Sequence, residues 1–221
     1  TTLFRSYYHM SLEIRQKVLG ESHPDIAVSY FNIGDTYHDQ GELDKALEYY
    51  HKALDIRLKL FGELHTEVAD SYNNLGGIYK DSDELDEALK YYHMALDIRR
   101  KILGDGHPDT AGAYNNIAIT YTDMKQFDKA LEYHQKALSI KINVLGKDHP
   151  DVATSFNNIG ACYQDQEKYH DALGYYLKCL GIRIKACGVK HPMLVTPYSN
   201  VGNIFSRHRN YKKAIFYYKK C

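Results

Sequence analysis

The pattern H-P-D-V-A-T-S-F-N-N-I-G runs from His149 to Gly160, close copies begin at His23, His107 and His191, and a looser one begins at His65. Consecutive copies stand 42 residues apart. A return at a fixed spacing marks a tandem array, in which each unit completes the hydrophobic core of its neighbour. One unit must therefore be understood before any single residue is given a role.

Residues 23–64 show the local logic. Pro24 suits the first helical position, where its missing N–H goes unused. Asp25 follows in the first turn, where the partial positive charge of a helix start favours a carboxylate. Tyr30, Ile33, Gly34 and Tyr37 fall at i, i+3, i+4 and i+7, one face of a helix. Gly41 breaks that helix. A second, starting near Glu42, is expected to bury Leu43, Ala46, Leu47, Tyr50, Ala53 and Leu54, and Gly62 to end it. Each unit is thus a pair of antiparallel helices.

Equivalent positions sharpen the expectation. Gly34, Gly76, Gly160 and Gly202, with Ala118 in the third unit, lie mid-helix, where glycine costs roughly 1 kcal/mol against alanine. Such residues predict close helix contacts, as do Ala46, Ala88, Ala130, Ala172 and Ala214. The turn glycine at 41 becomes Asp83, Lys125, Glu167 and Arg209, so those turns either avoid a left-handed residue or bear strain. Pro197 falls inside a first helix and predicts a kink or a late start. The chain divides into 1–22 (the second helix of a truncated unit), full units 23–64, 65–106, 107–148 and 149–190, and a truncated unit 191–221. It is expected to be a piece of a longer array.

Composition narrows the function classes. With 28 basic and 28 acidic residues the chain lacks the basic excess usual in nucleic-acid binders. Its apolar runs are far too short for membrane insertion. The four cysteines form no C-x-x-C pair. Cys179 and Cys221 stand where other units carry Ala53, Ala95 and Ala137, and Cys187 replaces a leucine or phenylalanine, so all three read as core filler. This predicts a reduced, cytoplasmic protein without disulfides. The recurring histidines belong to successive units, and helices packed roughly 8–10 Å apart cannot bring them to one zinc ion. H-P-D also occurs in J-domain co-chaperones, but there as one loop copy rather than a periodic helix start. No nucleophile–base pair or phosphate-cradling loop is present, so no enzyme, metal, cofactor or small-molecule substrate is expected. Of each tyrosine pair, such as Tyr91-Tyr92, the first is expected nearer the surface.

The positions Tyr30, Ile33, Gly34, Tyr37, Ala46, Tyr50 and Ala53 resemble the tetratricopeptide repeat. The H-P-D-x-A opening, the A-L-x-I-R-x-x-x-L-G close and the 42-residue period are similar to the kinesin light chain type, which nephrocystin-3-like repeats share. The resemblance implies an all-α, right-handed superhelical solenoid of antiparallel helix pairs whose first helices line a concave groove for peptide segments. Carried over, groove positions include Asp35, His38 and Asp39 in the first full unit and Asp70, Asn73, Gly77, Lys80 and Asp81 in the second. They continue with Asn115, Ile119, Thr122 and Asp123, then Asn157, Ala161, Gln164 and Asp165, and finally Ser199, Asn203, Ser206 and Arg207.

Two expectations follow. Asn73, Asn115 and Asn157 form a ladder able to donate to and accept from a peptide backbone. Asp35, Asp39, Asp70, Asp81, Asp123 and Asp165 outnumber Lys80 and Arg207, so the groove is expected to prefer an extended neutral or basic segment of a protein partner. The bland alternative is that Asp39, Asp81, Asp123 and Asp165 merely end their helices beside solvent. The second asparagine of each pair (Asn32, Asn74, Asn116, Asn158, Asn200) is expected to make a hydrogen bond inside its own repeat. Repeats that clamp a terminal carboxylate use matched lysine and asparagine; here only Asn203 fits, and its partner position is Ser199. The functional expectation is a non-catalytic scaffold resembling kinesin light chains in cargo or adaptor recognition. The alternative is a regulatory or oligomerising array whose groove holds a segment of its own chain.

Overall fold

The histidine that opens each unit caps the helical turn that follows it, the first turn of the first helix in the four full units and a separate 3-10 turn after His191. Nδ1 of His149 accepts a hydrogen bond from the backbone N–H of Asp151 at 3.1 Å, and His23, His65, His107 and His191 accept theirs at 3.1–3.2 Å. Each ring so satisfies one of the backbone donors a helix leaves orphaned at its start. Except after His65, the next residue is the proline that such a position tolerates.

The computed structural model describes residues 2–221, with side chains from Ser6 onward. It is all-α. The helices are α1 (Thr2–Leu19), α2 (Pro24–Asp39), α3 (Leu43–Phe61), α4 (Thr66–Asp81), α5 (Leu85–Leu103), α6 (Pro108–Asp123), α7 (Phe127–Leu145), α8 (Pro150–Asp165), α9 (Tyr169–Cys187), α10 (Val195–Arg207) and α11 (Tyr211–Tyr218). One compact unit covers Thr1–Asp105 and a second Gly106–Cys221. Within the first, α2 pairs with α3 and α4 with α5; within the second, α6 pairs with α7, α8 with α9 and α10 with α11. Residues Pro192–Leu194 form a single 3-10 turn before α10, so Pro197 sits in the first turn of a helix that starts late, where its missing N–H breaks nothing.

The turn inside each pair ends the first helix tightly. The backbone N–H of Glu84 donates to the carbonyl of Tyr79 at 2.8 Å and that of Asp83 to Lys80 at 3.0 Å, the paired bonds of a Schellman cap. That cap needs a left-handed residue. Gly41 supplies it at φ +73°, and Asp83, Lys125, Glu167 and Arg209 adopt it at φ between +55° and +62°. Of the two outcomes open to these turns, strain is the one realised.

Inside each pair the mid-helix glycines admit an aromatic ring. A Cβ at Gly76 would lie 2.7 Å from the Tyr92 ring, and one at Gly160 would lie 2.8 Å from that of Tyr176. Ala46, Ala88, Ala130, Ala172 and Ala214 are all buried. Leu43 and Leu47, expected in the core, are half-buried at its edge.

Within the units, Arg15, Arg57 and Arg183, each near the end of a second helix, reach the first helix or turn of the repeat that follows. Arg57, buried, donates from Nη1 to Ser71 Oγ at 2.7 Å and approaches the Glu67 carboxylate with Nη2 at 3.1 Å. Arg15 meets Ser29 at 2.8 Å, and Arg183 reaches the Met193 carbonyl at 3.1 Å and Thr154 at 3.4 Å. A guanidinium fork can serve several acceptors at once.

In the pairs Tyr49-Tyr50, Tyr91-Tyr92 and Tyr175-Tyr176 the first ring lies nearer the surface, as expected, half-buried where the second is buried; at Tyr217-Tyr218 the order is reversed. Tyr49 stacks on Tyr37 with centroids 5.4 Å apart and leans on Tyr30 at 6.0 Å. Tyr91, Tyr133, Tyr175 and Tyr217 repeat this three-ring arrangement. Among the cysteines, Cys179 is buried, Cys187 half-buried and Cys221 exposed, all as free thiols. Core filler therefore describes Cys179 but not Cys221, whose neighbours Tyr218 and Lys220 are themselves exposed.

Candidate functional site

The first helices carry the residues singled out by the sequence, and their hydrogen bonds sort them into three groups. The asparagines come first. In the second unit Asn158 donates from Nδ2 to Oδ1 of Asn115 at 3.0 Å, and Asn200 donates to Asn157 at 2.9 Å. For these two the expectation of a bond inside one repeat is corrected: the second asparagine reaches back to the first asparagine of the preceding repeat. Helices 42 residues apart in sequence lie side by side within the unit, so the nearest amide belongs to a neighbour. Asn115 and Asn157 are half-buried, and each spends its oxygen on this tie while its own Nδ2 donors stay uncommitted. Asn73 is likewise half-buried.

The second group is tied into the fold. Asp35 accepts the hydroxyl of Tyr50, and burial raises its pKa while that hydroxyl lowers it. Asn203 accepts the Tyr218 hydroxyl at 2.7 Å, and Gln164 accepts that of Tyr176 at 3.3 Å. The tyrosines wedged over Gly34, Gly160 and Gly202 thus end at the first-helix face. Asp70 pairs with Arg99 at 2.7 Å, an arginine from the second helix of its own repeat. This brings onto the face a positive charge that a count of first-helix residues omits.

The third group is the row of acids. Asp39, Asp81, Asp123 and Asp165 are each the last residue of a first helix and exposed. A carboxylate there faces the negative end of the helix dipole, which costs roughly 0.3–1 kcal/mol. Ending a helix beside solvent does not call for an acid. In the first unit Asp81 lies 2.9 Å from Nε2 of His38, on α2, and 3.4 Å from Lys80 Nζ. In the second unit the place of His38 is taken by Thr122, whose hydroxyl turns back to the Ala118 carbonyl at 3.0 Å. A hollow of about 400 Å³ lies there, lined by Thr122, Asp123, Lys125, Phe127 and Asp165. Arg207 is drawn over the Tyr169 ring, 5.5 Å from its centroid.

Sequence reasoning missed the arginine joints and the capping role of the histidines. The I-R pair that recurs at Arg15, Arg57, Arg99 and Arg183 signals the first. The second has a weaker signal, since histidine is not among the usual capping residues. Among the described residues no three His, Cys, Asp or Glu side chains are grouped to hold a metal ion, and no helix is long and apolar enough to cross a membrane.

Comparison with solved structures shows the same helical fold. BtubC (BKLC) from P. vanneervenii superposes with a TM-score of 0.82 at 20% identity, covering 98% of this chain and 87% of that one. A putative kinesin light chain from Podosopora anserina, described by its nearly identical TPR-like repeats, gives 0.76 at 19% identity, covering 90% of this chain and 94% of that one. Aspartyl phosphate phosphatase F from Bacillus subtilis gives 0.80 at 21% identity, covering 95% of this chain and 53% of that one. No curated protein matches the sequence. The tetratricopeptide repeat model matches in overlapping spans over residues 5–59, 31–100, 67–143, 109–185 and 151–221. With matches running from residue 5 to the last, the chain belongs to the tetratricopeptide repeat family.

Proposed function

We propose that this protein is a non-catalytic scaffold of the cytoplasm whose first-helix faces hold an extended, neutral or basic segment of a partner protein, as a cargo or adaptor module would. The observation that carries the reading is the asparagine tie. When Asn158 and Asn200 occupy the oxygens of Asn115 and Asn157, the two amide groups are held in one orientation with their N–H donors left over. Backbone carbonyls of an extended chain are the natural acceptors, and a donor fixed in advance spares most of the ordering cost of binding. In this reading Asn73, at the equivalent position of the first unit, also contacts the partner segment.

The acids supply the charge preference. His38 beside Asp81 is a protein-internal example of an N–H donor meeting a carboxylate of the row. The hollow beside Asp165 offers the equivalent place to a lysine or arginine of the partner, with the Phe127 ring and the Thr122 methyl along its stem. Asp35 and Asn203 then serve by fixing Tyr50 and Tyr218.

Substituting Asn115 and Asn157 by aspartate keeps the acceptor oxygen of the tie and removes the donors; the negative charge it adds at each position would favour a basic segment, so a loss of binding reports the missing donors. Partners captured by the wild-type protein from cell extract should be lost from the Asn115→Asp, Asn157→Asp variant while its melting curve is unchanged. Undiminished capture would overturn the reading. Titration with a captured segment and its charge-reversed version tests the charge preference, which fails if the acidic version binds more tightly.

A further inference from the structure

The three-ring stacks hold a second pattern, away from the first-helix face. In three full repeats, the lysine three positions after the stacking tyrosine lies over both that ring and the first-helix aromatic. Lys52 Nζ is 5.9 Å from the Tyr30 centroid and 4.9 Å from Tyr49. Lys136 is 5.9 Å from Tyr114 and 5.0 Å from Tyr133, and Lys178 is 5.5 Å from Phe156 and 4.8 Å from Tyr175. A ring face attracts a cation at such distances, so these repeats supply their own.

Repeat 65–106 does not. Met94 takes the lysine's place, Lys90 moves to Tyr91 at 5.6 Å, and among the described residues no cation lies over Tyr72. Here the surface dips into a hollow of about 260 Å³ floored by Leu64, Tyr72, Met94 and Ile98, with Glu63, Asp97 and Lys101 around it. Leu64 is 59% and Met94 37% exposed, and among the described residues no ion pair holds Glu63 or Asp97. Glu63 is near enough to raise the pKa of the Tyr72 hydroxyl, after burial. The equivalent hollow in repeat 149–190 has the opposite character. Lys147 and Gly181 stand in place of Glu63 and Asp97, and Lys178 is among its lining residues. Glu21 and Asp55 hold the same two places in repeat 23–64, but there Lys52 covers the rings; repeat 65–106 is set apart by having the acids and no lysine over Tyr72.

We propose that this hollow binds a lysine or arginine side chain of a partner protein. The charged end lies over Tyr72 between Glu63 and Asp97, and the methylenes lie against Met94 and Leu64. Met94 adapts to a stem of varying course because thioether side chains are flexible and polarisable.

The probe is Nα-acetyl-lysine methylamide, with its Nε-acetylated form as the neutral control. The whole chain is labelled at its methionine methyls, and the Met94 signal is assigned by Met94→Leu. The Met94 methyl should shift saturably with the ammonium probe and not with the control. An exposed contact of this kind is worth roughly 0.5–1 kcal/mol, so concentrations up to about 50 mM are needed. The Glu63→Gln, Asp97→Asn variant should bind about fivefold more weakly. In Met94→Lys the Tyr72 ring signals should no longer respond, because the variant restores the internal cation of the other repeats. Equal shifts with both probes, or none with either, overturn the proposal. If Met94→Lys fails to fold, the exposed Glu63→Gln, Asp97→Asn pair decides, and undiminished binding by it is fatal. The Asn115→Asp, Asn157→Asp variant should titrate like wild type, which separates this site from the peptide face.

Discussion

In the α4–α5 pair the Tyr92 ring lies so close over Gly76 that a Cβ there would stand 2.7 Å away. In the α6–α7 pair the same two positions hold Ala118 and His134. The methyl that the first joint excludes is present in the second, and the ring opposite it is smaller and carries no hydroxyl. The two residues are expected to behave as one part, each exchange costing more alone than with its partner. What the smaller ring gives up is visible at its edge. Tyr50, Tyr176 and Tyr218 each end on a polar group of the first-helix face, whereas His134 is 2% exposed and its buried Nδ1 has no hydrogen-bond partner. An unsatisfied buried polar atom costs roughly 1–3 kcal/mol, so the α6–α7 pair is the softer of the two.

The largest consequence is a pH dependence centred on α7. Burial, followed by the nearby Lys141 charge, pushes the His134 imidazole down to about 4 from an ordinary 6.5. A base with a depressed pKa resists protonation in the folded protein, so between these values the unfolded chain binds more protons. Stability is therefore complete above pH 6.5 and falls as pH drops towards 4. At 1.36 kcal/mol per unit the loss amounts to about 3 kcal/mol. Amide exchange across α7 at pH 7 and pH 4.5 reads it locally, which suits an array that opens in parts. The Ala118→Gly, His134→Tyr protein should lose this component; an unchanged pH response would assign it to other groups.

Exchanging the joints comes next. Gly76→Ala alone should cost about 2 kcal/mol, in the range for overpacked cores. Adding Tyr92→His should recover about half, and the reverse exchange in the α6–α7 pair should behave in the same way. A double-mutant cycle by denaturant melts checks the coupling, expected at about 1 kcal/mol or more. Additive effects would mean that the rings do not feel the methyl.

Much of this joint is legible in the sequence, because a glycine that returns mid-helix at the repeat period makes physical sense only where a neighbouring chain comes close. Helix pairs, their turns and the late start after Pro192 are legible for the same reason: periodicity assigns faces, and glycine and proline assign ends. Partners are harder. The sequence places Asp70 on the first-helix face, but its tie to Arg99 depends on the reach of a long side chain from another helix. For Asn158 the sequence points to a bond at home, and helical spacing alone cannot say that the neighbouring repeat's amide is nearer. The capping histidines are hidden by chemistry, since serine, threonine, aspartate or asparagine is the usual choice at that position.

A smaller effect is expected at the joint between α7 and α8. Lys141 stands where Arg57 stands two repeats earlier, and burial lowers its pKa. A compact ammonium lacks the spread, planar donors with which the guanidinium fork reaches separated acceptors. Lys141→Arg should reach Ser155 Oγ and the Asp151 carbonyl, as Arg57 reaches Ser71 and Glu67. The gain should be about 1 kcal/mol, seen as slower exchange at the end of α7. Arg57→Lys should lose a similar amount, and no change in either would mean that Ser71 is merely a neighbour.

The smallest expected difference separates the turns. Gly41 enters the left-handed region freely, whereas Lys125 is held there at φ +58°, at roughly 1 kcal/mol for a residue with a Cβ. Glycine at 125 would remove that cost but give back part of it by freeing the unfolded chain. The net gain of Lys125→Gly should therefore be only about 0.5 kcal/mol, and Gly41→Lys should lose a similar amount. Both are exposed and a Cβ at Gly41 meets nothing within 4 Å, so denaturant melts of the two exchanges isolate backbone strain from packing. A loss for Lys125→Gly would show that the lysine charge at this turn contributes more than its strain costs, and would shift attention to its place in the lining beside Asp123 and Asp165.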